Sequence, residues 1–535
     1  FGSSRCASQL TVQRVRMAAS KIFFWQRGVL PLLTLVASFA GGLVAVFVIT
    51  GWRLSPTVFW NAHTESVKYA LWSVLSSSSS NARVVIGQVQ KHRGNPLLVQ
   101  DKPWDCRWDN SYPNIELDSN RTTFHLWYGG VIACQGCKNG QGHNRTFALQ
   151  YANSSDGKVW LKPDLGIFDL SQVPHISPSA MGLGTHNNIL SAPSDGVGVF
   201  LDHHDQNASR KYKFVGKGCF EGNTSCIHGT AVSSDGLHWT DTKELQWPPP
   251  QRWDDHQNIF YDEALGRYVL TTRDGLAEPP GRSIAIALGA TDGEFLNWTV
   301  PVQTLSGNVD HQLYSQITWR FHNIFLGIVM VYNTRPEANG TVQCRLAWSH
   351  EATRGWRWVA DEGLTGPELI PLAKKSGAFD SHICFAARPI VVGDAVWLYY
   401  MGGDGPHSGQ RNSSLGLATL RLDGFAGVMA EGELANLSTL PLLISGPRLL
   451  LTCDITAADG FVQLGLEGFG AVSPDRSLPI RANLTDAVVE FESGATLQNL
   501  LGQSAKLKLI YRNAIVYTVG FTAITESSAT VMQTG

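Results

Sequence analysis

The stretch RWDDHQNIFYDEALGRYVLTTR, residues 252–273, indicates the fold of the chain. Two carboxylates, a histidine and a tryptophan lie immediately before an apolar-polar alternation. A turn at Gly266 follows, and then a second β-rich run that ends at Arg273. This pattern is typical of a hairpin whose first strand begins in a polar cluster. We therefore expect an all-β protein in which the same design recurs.

Two short markers recur in the same order between about residue 90 and about residue 430. The first marker opens a strand in each of five units, at residues 113–115, 187–189, 257–259, 315–317 and 388–390. The second is a Ser-Ser-Asp-Gly turn with a tryptophan beyond it, complete at residues 154–160 and 233–239. Its Asp-Gly supplies a positive φ, and its tryptophan fills space between neighbouring units. Five units of about 60–75 residues predict a five-bladed β-propeller; a double-sheet sandwich would not need both markers in this order.

The segments on either side of these units differ from them in composition. An almost wholly apolar segment near the N-terminus is long enough to cross a bilayer as a helix, and only basic charges precede it. A cleaved signal peptide is the alternative. A serine run then favours a flexible linker, and strand-like runs near the C-terminus favour a second β domain. The predicted parts are a cytosolic tail (1–28), a transmembrane signal anchor (29–50), a stem or linker (51–90), the propeller (91–430) and a β-sandwich (440–525).

Sequons and cysteines both place the large part of the chain outside the cytosol. Ten Asn-x-Ser/Thr sequons follow the apolar segment and none precedes it. They begin at Asn120, Asn144, Asn153, Asn207, Asn223, Asn297, Asn339, Asn412, Asn436 and Asn483. Eight of the nine cysteines also follow the apolar segment, an even set suited to disulfides in an oxidising compartment. We predict a single-pass type II membrane protein that faces the lumen (Golgi or other endomembrane) or the cell exterior. A net charge of −2 gives no reason to expect a nucleic-acid partner.

Acidic residues and histidines precede the first strand of every predicted unit. In a propeller the first strand of each blade lines the central channel, so these residues would meet at one mouth. The candidates are Asp105 and Asp109, then His186, then Asp254, Asp255 and His256, then Asp310 and His311, and finally Asp380 and His382. Surface charge that only improves solubility would have no reason to recur in this register.

The chain resembles the five-bladed propeller glycoside hydrolases, the invertase/levanase-like and arabinanase-like group, over about residues 95–430. The matching pieces are LWYGG at 126–130, NNI at 187–189, Asp255 with Phe260 and Tyr268, LYY at 398–400 and LRLDGF at 420–425. The resemblance implies hydrolysis of a glycosidic bond, in which one carboxylic acid protonates the leaving oxygen while a carboxylate attacks or activates water. The implied catalytic residues are Asp255 first, then Asp109 and Asp310, then Asp380. The implied substrate contacts are Trp253, His256, His311, His186 and His382.

The chain also departs from that family. Tyr112 stands where the aspartate of the usual Asn-Asp-Pro-Asn opening would fall, and the proton donor has no obvious glutamate. The predicted function is therefore a membrane-anchored glycoside hydrolase-like protein with a carbohydrate substrate. The alternative is a lectin-like propeller that binds carbohydrate without cleaving it. We expect no cofactor, although aspartates and histidines from several units could also hold a structural Ca²⁺ or a transition ion in the channel.

Overall fold

The computed structural model describes residues 34–38, 44–50, 53–58, 66–77, 81–135, 143–218, 227–245, 253–274, 281–289 and 297–524. The described chain is all-β, as predicted: its one α-helix is the single turn Pro178–Met181, and its other helical pieces are short 3₁₀ turns. The chain divides into two compact units, Phe1–Ala62 and His63–Gly535.

The first unit contains strands where the sequence predicted a membrane-spanning helix. The strands are β1 (Thr34–Ser38), β2 (Val44–Thr50) and β3 (Arg53–Val58). They form one antiparallel sheet in the order β1-β2-β3. The helix prediction weighed apolar length alone, whereas the β-branched residues of VAVFVIT in β2 favour an extended backbone. Among the described residues no helix has the length and apolar character to cross a membrane.

The second unit begins with four short strands: β4 (Val67–Ala70), β5 (Leu75–Ser77), β6 (Ala82–Ile86) and β7 (Gln90–Lys91). Three four-stranded antiparallel sheets follow in chain order. Sheet 1 contains β8 (Asn114–Leu117), β9 (Phe124–Gln135), β10 (His143–Ser154) and β11 (Ile189–Ser191). Sheet 2 contains β12 (Asp195–Leu201), β13 (Tyr212–Gly218), β14 (Ile227–Ser233) and β15 (Thr240–Glu244). Sheet 3 contains β16 (Trp253–Asp262), β17 (Arg267–Asp274), β18 (Ser283–Gly289) and β19 (Val302–Leu305).

A nine-stranded sheet comes next, in two antiparallel groups. Group 4 contains β20 (His311–Phe321), β21 (Ile324–Asn333), β22 (Val342–Ser349) and β23 (Arg357–Trp358). Group 5 contains β24 (Ile383–Ala386), β25 (Ile390–Val392), β26 (Ala395–Gly403) and β27 (Ser413–Arg421), with β7 paired to β27. A parallel pairing of Val342 with Ile383 and the Cys344–Cys384 disulfide join the two groups.

We call β8, β12, β16, β20 and β24 the lead strands, because each begins its group, and each contacts the next. Asn114 in β8 donates to the carbonyl of Val197 and accepts from the amide of Val199 in β12. Asn258 in β16 accepts from the amide of Thr318 in β20. Both asparagines belong to copies of the first marker, and at these two places the marker ties one lead strand to the next.

The other lead-strand contacts are made by close packing. A Cβ on Gly198 of β12 would lie 2.7 Å from the carbonyl oxygen of Gln257 in β16, so only glycine allows these backbones to approach. The ring of Phe385 in β24 lies 6.4 Å from that of Tyr314 in β20 and 5.4 Å from that of Tyr112, which precedes β8. These contacts link β8, β12, β16 and β20 in chain order, and they link β24 to β20 and to Tyr112 before β8.

The last strands build a two-sheet domain together with the first ones. They are β28 (Ala426–Ala430), β29 (Ala435–Leu443), β30 (Leu449–Ile455), β31 (Phe461–Leu466), β32 (Leu484–Val488), β33 (Ser504–Arg512) and β34 (Ala514–Phe521). One sheet has the order β32-β30-β34-β28-β6 with β4 on β34, and the other has the order β31-β33-β29-β5. The structure differs here from the predicted stem over residues 51–90, because β4, β5 and β6 lie within this domain.

Candidate functional site

Asp109 lies just before β8 among three arginines. Its carboxylate is bound by Arg411, by Arg145 at 3.0 Å and by Arg107 at 3.3 Å. Burial acts to raise the pKa of this carboxyl, but the guanidinium groups outweigh it and hold the pKa below its usual range. Asp109 is therefore ionised at neutral pH. It can act as a base, a nucleophile or an electrostatic stabiliser, and it cannot supply a proton.

Asp254, near the start of β16, is the second carboxylate of the site. Arg273 of β17 donates to it through Nε at 2.6 Å, and Nε of Arg282 lies 3.9 Å away. Both guanidinium groups also stack over the ring of Tyr314, each 4.7 Å from its centroid. Asp254 is thus held in the same manner as Asp109, by arginines from neighbouring strands.

Two histidines lie between these carboxylates. His256 is 2% exposed and stacks on Tyr112, with ring centroids 4.4 Å apart. The ring of His407 packs edge-on against that of Tyr314, at 4.5 Å. Burial, reinforced by Arg273 for His256 and by Arg411 for His407, lowers the pKa of each imidazole to about 3. Both rings are therefore neutral at physiological pH.

His407 shows that the two carboxylates belong to one cluster. Its protonation is affected by the charges of Arg411 and Asp109 on one side and by those of Arg282 and Arg273 on the other. We call this set the arginine–histidine cluster: Arg107, Asp109, Tyr112, Arg145, Asp254, His256, Arg273, Arg282, Tyr314, His407 and Arg411. It lies near the ends where β8, β16 and β20 begin.

The backbone next to Asp109 is in a costly conformation. Ser111 and Tyr112 have φ values of +60° and +41°. These values lie in the left-handed region, which residues other than glycine, asparagine and aspartate rarely adopt. This conformation brings the Tyr112 ring onto His256. A small cavity of about 10 Å³, room for about one water molecule, is lined by Ser111 and Tyr112, by Gly129, Ala148 and Leu149, and by residues 194–197 at the start of β12. Strain of this kind concentrates at functional sites.

The predicted site residues divide into three groups. Asp109, Asp254 and His256 lie in the arginine–histidine cluster. The backbone of Asp255 and Trp253 lies in β16, but their side chains are outside what the structure describes, so the first catalytic candidate remains a prediction. The remaining candidates, Asp105, His186, Asp310, His311, Asp380 and His382, lie elsewhere.

Two of the predicted aspartates have structural partners. Asp380 is 3% exposed, accepts from Tyr400 at 2.8 Å and pairs with Lys91 at 2.5 Å, which fastens β7 to group 5. Asp105 accepts from Trp108 at 2.8 Å and pairs with Lys162 at 2.6 Å. Both carboxylates are engaged by these partners within the fold.

The other predicted residues lie nearer the surface or beside group 4. His186 is exposed next to Asp164 and precedes β11, the outer strand of sheet 1, because residues 187–189 do not open the lead strand of sheet 2. Asp310 is exposed, and its neighbour His311 contacts Arg335 at 3.3 Å. His382 contacts Ser381 and Asn339.

Sequence reasoning missed the arginines and His407. Arg273 is the last residue of the stretch 252–273 and lies in β17, the strand that forms a hairpin with the lead strand β16. Its position in the sequence could therefore have identified it as a site residue. Arg411 and His407 lie in the connection before β27, which carries neither marker. Only the closure of group 5 against sheet 1 brings them to Asp109. Within the described residues, no group of three or more His, Cys, Asp or Glu side chains could hold a metal ion.

Comparison with known proteins gives weak structural similarity alone. No protein-family model matches the chain, and no curated protein matches it. The β-1,2-mannobiose phosphorylase of Listeria innocua is 12% identical with a TM-score of 0.41, over 63% of this chain and 97% of its own. A putative glycosidase of Bacteroides thetaiotaomicron is 14% identical with a TM-score of 0.41, over 62% and 96%. An exo-β-1,3-galactanase of Phanerochaete chrysosporium is 10% identical with a TM-score of 0.36, over 79% and 99%.

Proposed function

We propose that this protein is a five-bladed β-propeller of the glycoside hydrolase type that binds a carbohydrate at the arginine–histidine cluster and cleaves a glycosidic bond there. The observation that best supports this proposal is that carboxylates from different groups of strands belong to one cluster. Asp109, just before sheet 1, acts on His407, as do Arg273 and Arg282, the arginines that hold Asp254 in sheet 3; Asp255 is the next residue in β16. Carboxylates from different strands are what a two-carboxylate mechanism requires.

The roles follow from the charges. Asp109 stays ionised beside its arginines, which suits a base, a nucleophile or a stabiliser of an oxocarbenium-like transition state. Asp255 is the proposed second carboxylate. Neutral His256 and His407 can exchange hydrogen bonds with sugar hydroxyls, because each ring offers one donor and one acceptor.

The test is hydrolysis of a panel of aryl glycosides and oligosaccharides by the full chain. We expect Asp255→Asn and Asp109→Asn each to lower kcat/KM by about 10²–10⁴-fold. Asp459→Asn, on the C-terminal domain, is the control that should leave kcat/KM unchanged. Circular dichroism of every variant separates loss of chemistry from loss of folding. Full activity in a folded Asp255→Asn protein would remove this residue from the mechanism.

Carbohydrate binding without hydrolysis is the second candidate. One observation favours it: both described carboxylates of the cluster are paired with arginine, so neither is available as the acid. Glycan binding by the full chain with no released product, under conditions where the protein is folded, would select this function over hydrolysis.

We also propose a lumenal or extracellular location, as the sequons and cysteines predict. Eight of the nine described sequon asparagines are exposed, and the ninth, Asn153, is half-buried. Cys344 and Cys384 are bonded across group 4 and group 5, which suits an oxidising compartment. Expression in a eukaryotic secretory pathway and treatment with an N-glycosidase should lower the apparent mass on a gel. An unchanged mass would argue against this location.

A further inference from the structure

The arginine–histidine cluster holds more positive charge than its described carboxylates neutralise. Three guanidinium groups surround Asp109 and two surround Asp254. One arginine is enough to pair with one carboxylate, and a bidentate arginine already satisfies both of its oxygens. The additional guanidinium groups repel one another at close range. Such an arrangement is stable when a further anion joins it.

Several polar atoms of the cluster are buried and, within the described structure, make no hydrogen bond. They are Nε of Arg411, Nε of Arg282, and the Nδ1 atoms of His256 and His407. Arg411 is 4% exposed and His256 is 2% exposed, so solvent does not replace the missing partners. Buried polar groups in native proteins are nearly always hydrogen-bonded. These atoms therefore point to a bound molecule that carries oxygen acceptors and hydroxyl groups.

The opposite ends of the lead strands provide an internal comparison. There Glu116 of β8 is paired with Arg388, and Asp262 of β16 is paired with Arg320 of β20. Each of these carboxylates has one arginine, and the pair joins two neighbouring groups of strands. These two ion pairs, which hold the fold together, thus have balanced charge. Among the described residues at the two ends of the lead strands, the excess of arginine lies at the end where Asp109 is found.

We propose that the carbohydrate bound at this cluster is anionic and carries a carboxylate, sulfate ester or phosphate ester that the unpaired arginine nitrogens receive. This inference rests on the proposed function, because it names the substrate class of the same site. The three groups share the chemistry of an oxyanion, and the fork of a guanidinium group matches all of them bidentately. The neutral histidines are left to bind the hydroxyls of the same sugar.

The experiment is a glycan array probed with the full chain at two salt concentrations. The array carries matched sets in which one neutral glycan is compared with its uronic acid, sulfated and phosphorylated counterparts. We expect at least one acidic counterpart to bind tenfold or more tightly than its neutral match, with a preference that weakens at high salt. The acidic counterpart that binds most tightly shows whether the anion is a carboxylate, a sulfate ester or a phosphate ester. Calorimetry on the best pair then measures the preference in variants.

Arg282→Gln is the main variant, since this side chain is 39% exposed and tolerates substitution better than a buried one. We expect it to abolish most of the preference for the acidic glycan while neutral binding is kept. Arg411→Gln is the second variant, with circular dichroism as its folding check. Arg448→Gln, which removes a surface arginine paired with Glu490 in the C-terminal domain, is the matched control and should keep the preference.

The outcomes separate this inference from the proposed function. Equal binding of acidic and neutral glycans, no binding of any acidic glycan, or a preference unchanged in Arg282→Gln would overturn the inference. Inorganic phosphate that binds as tightly as the phosphorylated glycan would also overturn it, since the site would then be specific for a free anion. An acidic glycan that is bound and not cleaved would support the inference and reject hydrolysis. A neutral glycan that is cleaved, with no preference for its acidic counterparts, would support hydrolysis and reject the inference.

Discussion

At the scale of single residues, the left-handed backbone of Ser111 is the strongest sign that the site was selected for function. A side chain other than glycine, asparagine or aspartate in this region costs about 1–3 kcal/mol, which the surrounding structure must offset. Ser111 gains nothing locally for that cost, because its hydroxyl is buried without a hydrogen-bond partner in the described structure. The conformation does place Tyr112 on His256. We infer that the strain is retained because it orients this ring.

Replacement of Ser111 by glycine tests this inference. Glycine adopts a positive φ without strain, so we expect Ser111→Gly to raise the free energy of unfolding by about 1 kcal/mol and to weaken carbohydrate binding. The control is Arg121→Gly, at a φ of +58° in the turn after β8 and away from the cluster. It should relieve similar strain without an effect on binding. Urea denaturation and calorimetry measure both quantities; binding that is equally strong in Ser111→Gly would contradict the inference.

At the scale of elements, the Asp-Gly turns show how neighbouring groups are joined. In both complete copies the serine hydroxyl accepts from the glycine amide at 2.8 Å, and the glycines at 157 and 236 have φ values of +70° and +77°. The carbonyl of Gly157 accepts from Tyr399 in group 5, and that of Gly236 accepts from Trp127 in sheet 1. Each turn therefore docks on the strand that pairs with the lead strand of the preceding group, β26 with β24 and β9 with β8.

This docking predicts unequal effects of one substitution at two glycines. Gly166 also has a positive φ, but no atom lies within 4 Å of its Cβ position, so Gly166→Ala should lower the free energy of unfolding by about 1 kcal/mol. At Gly236 the Cβ would lie 2.6 Å from the buried ring of Trp127. Because the added methyl group also overpacks this site, Gly236→Ala should lower the free energy of unfolding by about 3 kcal/mol. Equal losses in urea denaturation would show that the turn does not pack as closely as the structure indicates.

The same elements show what the sequence could and could not predict. The positive φ of the Asp-Gly turns is a local property, and the sequence predicted it correctly. Residues 187–189 look like the first marker and yet lead into the outer strand β11, since a short apolar strand opening does not specify which edge of a sheet it joins. His186 was misplaced for this reason. Arg411 could not be assigned to Asp109 without the contact between group 5 and sheet 1.

At the scale of the whole molecule, the chain closes on itself twice. β7 pairs with β27, and β4 pairs with β34. The predicted stem has the composition of a linker, but Ser76 donates to the carbonyls of Ser438 and Thr439 in β29. The strand partners of these residues lie far away in the sequence, and no local pattern reveals such pairing. The sequence therefore predicted the C-terminal β domain without the strands that the N-terminal segment contributes to it.

The junction between the lead strands and the C-terminal domain depends on Asp423, in the segment LRLDGF at residues 420–425. This carboxylate is 7% exposed and accepts from Lys68 of β4 and from His322 of the β20–β21 turn, each at 2.8 Å. Thr518 of β34 donates to it at 3.1 Å. Burial acts to raise the pKa of Asp423, but these partners outweigh burial and hold the pKa far below its usual range. The ionised carboxylate thus stabilises the folded chain.

The sign of the pH dependence follows from that depressed pKa. A carboxyl whose pKa is lower in the folded state stabilises the fold above its unfolded pKa of about 3.9, and this contribution is lost as the pH falls further. We expect Asp423→Asn to lower the free energy of unfolding by about 3 kcal/mol at pH 7, because Lys68 loses its buried partner. Below about pH 4 the difference from the parent protein should narrow, because the carboxyl of the unfolded parent chain then binds a proton that the folded carboxyl does not yet bind. Asp486→Asn removes the second, more exposed carboxylate beside Lys68 and should cost less than about 1 kcal/mol. Urea denaturation at pH 7 and pH 3 measures all four values, and equal losses for both variants would show that Asp423 does not hold the junction.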